Sequence, residues 1–259
     1  MNSFDLKGHK ALVCGASQGI GEATSLLLAE RGAQVVLLAR NRDRLDELKS
    51  RLPGTGHEVI SADLSDLESL KKAVLPKLAQ MGVTILVNNS GGPKGGALID
   101  ADINEFEGAI RAHVLAAHLI VQTILPSMKS KSYGRIINVI STSVKAPISG
   151  LGVSNTTRAA MANWAKTLAG EVGVFGVTVN NVLPGFIRTS RFDSLRGAAA
   201  QKQQVPESQI ESQWKSVVPL GRIGEPREMA EAIAFLASPA ASYISGINVP
   251  VDGGRTPSL

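Results

Sequence analysis

Short apolar runs alternate with amphipathic ones from one end of the chain to the other. Residues 10–14, 34–39, 58–62, 85–88, 135–140, 177–183 and 248–251 are too short for helices and read as strands. Between them lie helical patterns. Residues 42–52 form one with Asn41 as its cap, and Ser65 with Glu68 makes a capping box for a second that runs to about Met81. A third begins near Asp102, where Ile103, Phe106, Ile110, Ala117 and Val121 recur at spacings of three and four and predict a buried stripe that also carries His113. A fourth, from about Val153, aligns Ser154, Arg158, Met161, Ala165, Leu168 and Val172 on one side, and a last covers 225–237. Strands alternating with helices predict an α/β fold in which a parallel sheet is covered on both faces. Residues 185–219 interrupt the alternation: they are polar, with Phe192 and Trp214 but no strand pattern, and a segment of that length predicts a substrate loop or lid.

One junction carries chemistry. The first strand runs into GASQGIG, Gly15 to Gly21, and an amphipathic run begins at Ile20. Strand, tight glycine turn and helix start form an anion site: glycines let the backbone approach a ligand, and the unpaired N–H groups of the first helical turn favour a pyrophosphate. The next strand arrives where a βαβ unit needs it, so the motif reads as dinucleotide-binding.

Composition narrows the alternatives. A chain of 259 residues suffices for one large α/β domain spanning 1–259, with no internal repeat. No apolar run reaches the roughly 18 residues of a membrane span, and the first ten residues lack the apolar stretch of a signal peptide. Cys14 is the only cysteine, which excludes an internal disulfide and fits a cytoplasmic location. His9, His57, His113 and His118 show no metal-ligand spacing, so no metal is expected. The formal charge of +5 comes without a basic helix face, and the densest basic stretch, Arg40 to Arg44, is broken by Asp43. The charge therefore suits a phosphate-bearing cofactor or an anionic substrate better than nucleic acid.

Further motifs follow in order: Asp63-Leu64 after the third strand, NNSGG after the fourth, GRIINVIS at Gly134 to Ser141, PGFIRT at Pro184 to Thr189, PLGRIGEP, and a terminal VDGG. With GASQGIG, this set resembles the short-chain dehydrogenases/reductases over essentially the whole chain, and is most similar to their 3-oxoacyl-[acyl-carrier-protein] reductase branch. The resemblance implies a single Rossmann-type, doubly wound domain with seven parallel strands flanked by helices. It also implies cofactor contacts: Gly15, Ser17, Gln18, Gly19, Ile20 and Gly21 around the phosphates, Asp63 and Leu64 at the adenine, Asn89, Ser90 and Gly91 on the adenosine ribose side, and Pro184, Gly185, Ile187 and Thr189 along the nicotinamide. The second strand ends in Ala39-Arg40, where an NAD-preferring relative carries an acid. A guanidinium there suits a 2′-phosphate, which favours NADP(H). Family members are commonly homotetramers, and the helices near Asp102 and Val153 suit such an assembly, with a dimer as the alternative.

The family's catalytic set of Asn, Ser, Tyr and Lys does not carry over intact. Counting along GRIINVIS gives Ser141 for the serine; the tyrosine position falls on Ser154, the lysine position on Arg158, and the asparagine position on His113. An aliphatic hydroxyl cannot be tuned towards neutrality as a phenol can, and arginine does not shuttle a proton as lysine does. Tyr133 and Tyr243, the only tyrosines, fall away from the site by topology. Two functions follow. One is an oxidoreductase acting on a small or carrier-bound carbonyl or alcohol, with Ser141, Ser154, Arg158 and His113 as its catalytic residues and His113 giving or relaying the proton. The other is a catalytically impaired NADP(H)-binding sensor or inactive partner subunit, with His113 a hydrogen-bonded core residue.

Overall fold

In the computed structural model, which describes residues 3–258, seven parallel strands form one sheet in the order β3-β2-β1-β4-β5-β6-β7. In chain order the elements are β1 (Lys10–Cys14), α1 (Gly19–Glu30), β2 (Gln34–Ala39), α2 (Arg42–Arg51), β3 (Glu58–Ser61), α3 (67–80), β4 (Ile85–Asn88), α4 (Ile103–Ser130), β5 (Gly134–Val139), α5 (Gly152–Val172), β6 (Val177–Pro184), α6 (Ser190–Gln203), α7 (Glu207–Ser216), α8 (Pro226–Ala237) and β7 (Asn248–Val251). Successive strand residues point to opposite faces. Val13, Val35 and Leu37 meet α1, α2 and α8 through Leu28, Leu45 and Ile233. Leu12, Val36 and Leu38 face the other way, onto Leu70, Leu78, Ile120, Ile124 and Ala165 of α3, α4 and α5. Both faces are buried, which is why the strands read as continuous apolar runs. The order reverses between β1 and β4, and a sheet of this kind holds ligands beyond the strand ends at that point.

An amide ladder crosses half the sheet. Asn88 Nδ2 donates to Asn138 Oδ1, Asn138 to Asn181 and Asn181 to Asn248, each at 2.8 Å. These residues are register partners on β4, β5, β6 and β7, so one row of side chains satisfies itself inside an apolar core.

The structure corrects three expectations. Helix α3 is capped by Asp66, whose carboxylate accepts from Ser69 N–H at 3.0 Å, and no Ser65–Glu68 box forms because Ser65 donates to Asp63 instead. Helix α4 contains a π-helical turn at Arg111–Leu115. Its extra residue rotates the buried face, so Ile103 is 68% exposed and Phe106 and Ile110 are only half-buried; the inward side is Ala109, His113, Ala117, Ile120, Val121, Ile124 and Met128. By length and composition α4 is apolar enough to cross a membrane, whereas in this fold one face of it, Ala116, Ile120, Val121, Ile124 and Met128, packs into the core. Lastly, residues 185–219 are no irregular loop. They hold the α6–α7 pair, clasped by Phe186 stacked on Trp214 at 4.8 Å with Phe192 edge-on to both.

Candidate functional site

The glycine turn forms a cradle in which backbone meets backbone. Gly15 and Gly19 have φ of +62° and +59°, which disfavours a side chain at either position. A Cβ on Gly15 would overlap the Asn89 carbonyl, and one on Gly21 would overlap the Gly15 carbonyl. Asn89 ties the two walls together, its Nδ2 lying 3.3 Å from the carbonyl oxygens of Cys14 and Gly15. Gln18, the N-cap of α1, makes no side-chain cap bond, so the first-turn N–H groups are not taken by it. Across the crevice, a Cβ on Gly19 would stand 3.0 Å from Thr189 Cγ2, which brings the 184–189 stretch against the turn. That stretch is held by Gly185 N–H to Val251, and by Arg188 and Gly224 exchanging backbone bonds with Gly224 and Phe186.

At the far end of the cradle Arg40 is exposed, 3.9 Å from the Asp63 carboxylate. Burial works against it, but hydrogen bonds from Ser65 and the Arg40 charge hold the Asp63 carboxyl below its usual range. Leu64 is half-buried beside it and Gly91 is open, with no atom within 4 Å of where its Cβ would be. Arg44, a residue that motif reading missed, donates to Gln18 Oε1 at 2.9 Å. It lies in the basic stretch after β2, and only the fold shows which of those cations turns back towards the glycine turn.

The remaining residues gather at the ends of β4 and β5. Arg158, 7% exposed on the inner face of α5, donates to the carbonyls of Val139 and Ser90, each at 3.2 Å. The Ser90 hydroxyl meets His113 Nδ1. Ser90 thus joins the guanidinium to the imidazole, one through its carbonyl and the other through its side chain. Burial first, and Arg158 second, push His113 down to about 3. Of the two roles expected for His113, giving or relaying the proton, this disfavours the first: at pH 7 it is a neutral imidazole that hydrogen-bonds but has no extra proton to give. Burial first, and Arg191 second, push Arg158 down to about 10, so it remains a cation at pH 7. Ser154 lies one turn before Arg158 on α5, half-buried. Ser141 accepts from Ser143 N–H at 3.0 Å just beyond β5. Ser141 and Ser154 both precede Arg158 along the chain and share no hydrogen bond among the described residues. A cleft of about 290 Å³ opens beside the cluster, lined by Gly91, Gly92, Pro93, Asn104 and His113 among others. No phenol approaches it. Tyr133 donates to Ala237 O at the opposite end of β5, and Tyr243 is fully exposed.

A family model described as enoyl-(acyl carrier protein) reductase matches residues 15–256, nearly the whole chain. The chain belongs to the short-chain dehydrogenase/reductase family. Among curated short-chain dehydrogenase/reductase relatives, a 3-oxoacyl-[acyl-carrier-protein] reductase of Vibrio cholerae serotype O1 is 36% identical over 255 residues, 97% of this chain and 98% of that protein. An NADPH-dependent reductase of Bacillus subtilis is 30% identical, over 96% and 98%. The solved structure of L-sorbose reductase from Gluconobacter frateurii, complexed with NADPH and L-sorbose, superposes with a TM-score of 0.90 at 29% identity, covering 99% of this chain and all of that one. The seven-stranded Rossmann-type sheet expected from the motifs is the fold of this short-chain dehydrogenase/reductase. One cation of the basic 185–219 stretch, which lies outside the motifs, also reaches this site. Arg191, in the first turn of α6, reaches back to donate to Pro93 O at 2.6 Å. Only the packing of the helical pair across the cleft places it there.

Proposed function

We propose that the chain is an NADP(H)-dependent oxidoreductase acting on a carbonyl or alcohol substrate, 3-oxoacyl reductase-like, with Ser154 and Arg158 where relatives carry tyrosine and lysine. The observation that carries this reading is the cradle. The close approach of Gly15 to the Asn89 carbonyl and of Gly21 to the Gly15 carbonyl, which a Cβ would block, together with uncapped N–H groups at the start of α1, suits a diphosphate. Arg40, Arg44 and Gln18 at its outer end suit a 2′-phosphate, and several related structures hold NADP or NADPH. In this reading Ser17, Gly19 and Ile20 complete the phosphate contacts, and Pro184, Ile187 and Thr189 line the nicotinamide. When bound, NADPH supplies a hydride.

The chain's own residues do the rest. The hydroxyls of Ser141 and Ser154 orient the substrate oxygen, and the Arg158 charge stabilises the negative charge that develops on it. Arg158 keeps its proton throughout. Neutral His113, fixed by Ser90, orders water that delivers the final proton, which is a relay role and not that of an acid. The missing phenol favours a second reading, an NADP(H)-binding sensor or inactive partner subunit, because Tyr133 is bonded at the opposite end of β5 and Tyr243 is fully exposed.

Apolar exposure along α4 and the turn before it, at Ile99, Ile103 and Leu115, supports assembly into a homotetramer or dimer. One experiment separates binding from chemistry: a fluorescence titration with NADPH and NADH, then NADPH oxidation against a panel of 3-oxoacyl and sugar carbonyls. Tight NADPH binding with turnover is expected. Binding with background oxidation selects the sensor, and no binding of either coenzyme removes both readings.

A further inference from the structure

Two guanidinium groups converge on one point of the cleft. A Cβ built on Gly92 would lie 3.6 Å from Arg191 Nη2 and 3.9 Å from Arg158 Nη2, so both cations overhang the same glycine. Neither has a carboxylate within 4.0 Å among the described residues. The other arginines of the 185–222 stretch contrast with them: Arg188 pairs with Glu211 and Glu225, Arg196 with Asp193, Glu207 and Glu211, and Arg222 with Glu228. A buried cation facing a second cation is costly unless an anion joins them.

The donor count leaves room for one. Each guanidinium carries five N–H groups; Arg158 directs donors at two carbonyls and Arg191 at one. Arg191 also rides the first turn of the 14-residue α6, whose N-terminal end adds positive potential.

The geometry points to a substrate that carries its own carboxylate, held between Arg158 and Arg191 over Gly92. This deepens the reading above and rests on it. Ser154 lies one helical turn before Arg158, and residues four apart share one face of a helix, so the carboxylate and the reacting carbonyl sit close together on a short substrate. The substrate class is a short 2-oxo or 3-oxo acid, or the matching hydroxy acid. The planar fork of each arginine suits carboxylate, and the same oxyanion chemistry could instead serve the coenzyme's diphosphate, which the test must separate.

The probe is monomethyl malonate, a non-reducible carboxylate-bearing carbonyl, compared with dimethyl malonate by calorimetry on the full chain, with and without saturating NADP⁺. The acid is expected to bind about tenfold or more tighter than the diester, the size of a lost charge-assisted bond. Arg191→Ala removes that preference and Arg191→Lys restores part of it, while Arg188→Ala, whose charge is already neutralised, leaves it unchanged. NADPH affinity of the Arg191 variants is followed by fluorescence. Equal binding of acid and diester, no binding of either, or an Arg191→Ala variant that keeps the preference overturns the proposal. So does a variant that loses NADPH affinity while the preference survives, since the arginine then serves the diphosphate. If the wild-type chain binds no coenzyme, the proposed function falls, and the arm without NADP⁺ still decides the carboxylate site.

Discussion

Gly21→Ala tests the cradle with a single methyl group. The added Cβ would overlap the Gly15 carbonyl oxygen by close to an ångström relative to a normal 3.0 Å approach and would stand 2.9 Å from Asn89 Nδ2. Neither neighbour yields easily: one is backbone, and the other is fixed by its approach to the carbonyls of Cys14 and Gly15. The start of α1 must therefore move outward. Overpacking of this kind costs about 1–3 kcal/mol, which for a domain of this size lowers Tm by roughly 2–10 °C. The same movement misaims the first-turn N–H groups. Losing even one charge-assisted bond to phosphate weakens NADPH about tenfold or more. Differential scanning fluorimetry and an NADPH fluorescence titration on one preparation read both effects. Gly170→Ala is the matched control, because that helical position has nothing within 4 Å and alanine there gains roughly 0.5–1 kcal/mol. A Gly21→Ala protein with wild-type Tm and wild-type NADPH affinity would refute both the packing account and the cradle.

Two further outcomes follow from the electrostatics. His113 is held down to about 3 in the fold, against 6.5 for the free side chain, so between those values the unfolded chain binds a proton that the native one does not. The stability that His113 contributes is complete above pH 6.5 and is lost as pH falls. Between pH 6.5 and 5 this amounts to about 2 kcal/mol, and His113→Asn should show that much less acid loss in urea titrations at the two pH values. Arg44→Glu should turn coenzyme preference from NADPH towards NADH by about tenfold or more in the ratio of dissociation constants, since it sets a carboxylate beside Gln18 where a cation now stands.

The sheet was legible because its central strands β1, β2 and β4 are buried on both faces and therefore read as nearly unbroken apolar runs, and the half-buried β7 also falls where its short run lies. The phosphate turn was legible for a different reason, since its glycines answer a backbone demand that no other residue meets. What escaped shares one cause, that tertiary contacts decide it. Helix α6 buries only Phe192 and Ala200 fully, so it presents no stripe to find. The π-helical turn of α4 adds one residue to a period that pattern reading assumes constant. Asp66 and Ser65 are equally good caps by type, and Asp63 takes Ser65 away. In the site, His113 was placed on the correct face, but its proton affinity depends on burial and on Arg158. The converging Arg158 and Arg191 are separated by 33 positions of chain, and no spacing rule joins them.

The row of asparagines from Asn88 to Asn248 bears on how the chemistry stays aligned. Parallel strands with interchangeable valines and isoleucines have little to stop one sliding past another, because a shift by two residues restores the same apolar face. Amides that satisfy one another at only one alignment remove that freedom, since any slip strands several of them in a dry interior. The carbonyls that grip Arg158 belong to Ser90, two residues past Asn88, and Val139, one past Asn138. A vernier set in the middle of the sheet thus fixes, a few ångströms away, where the cation stands.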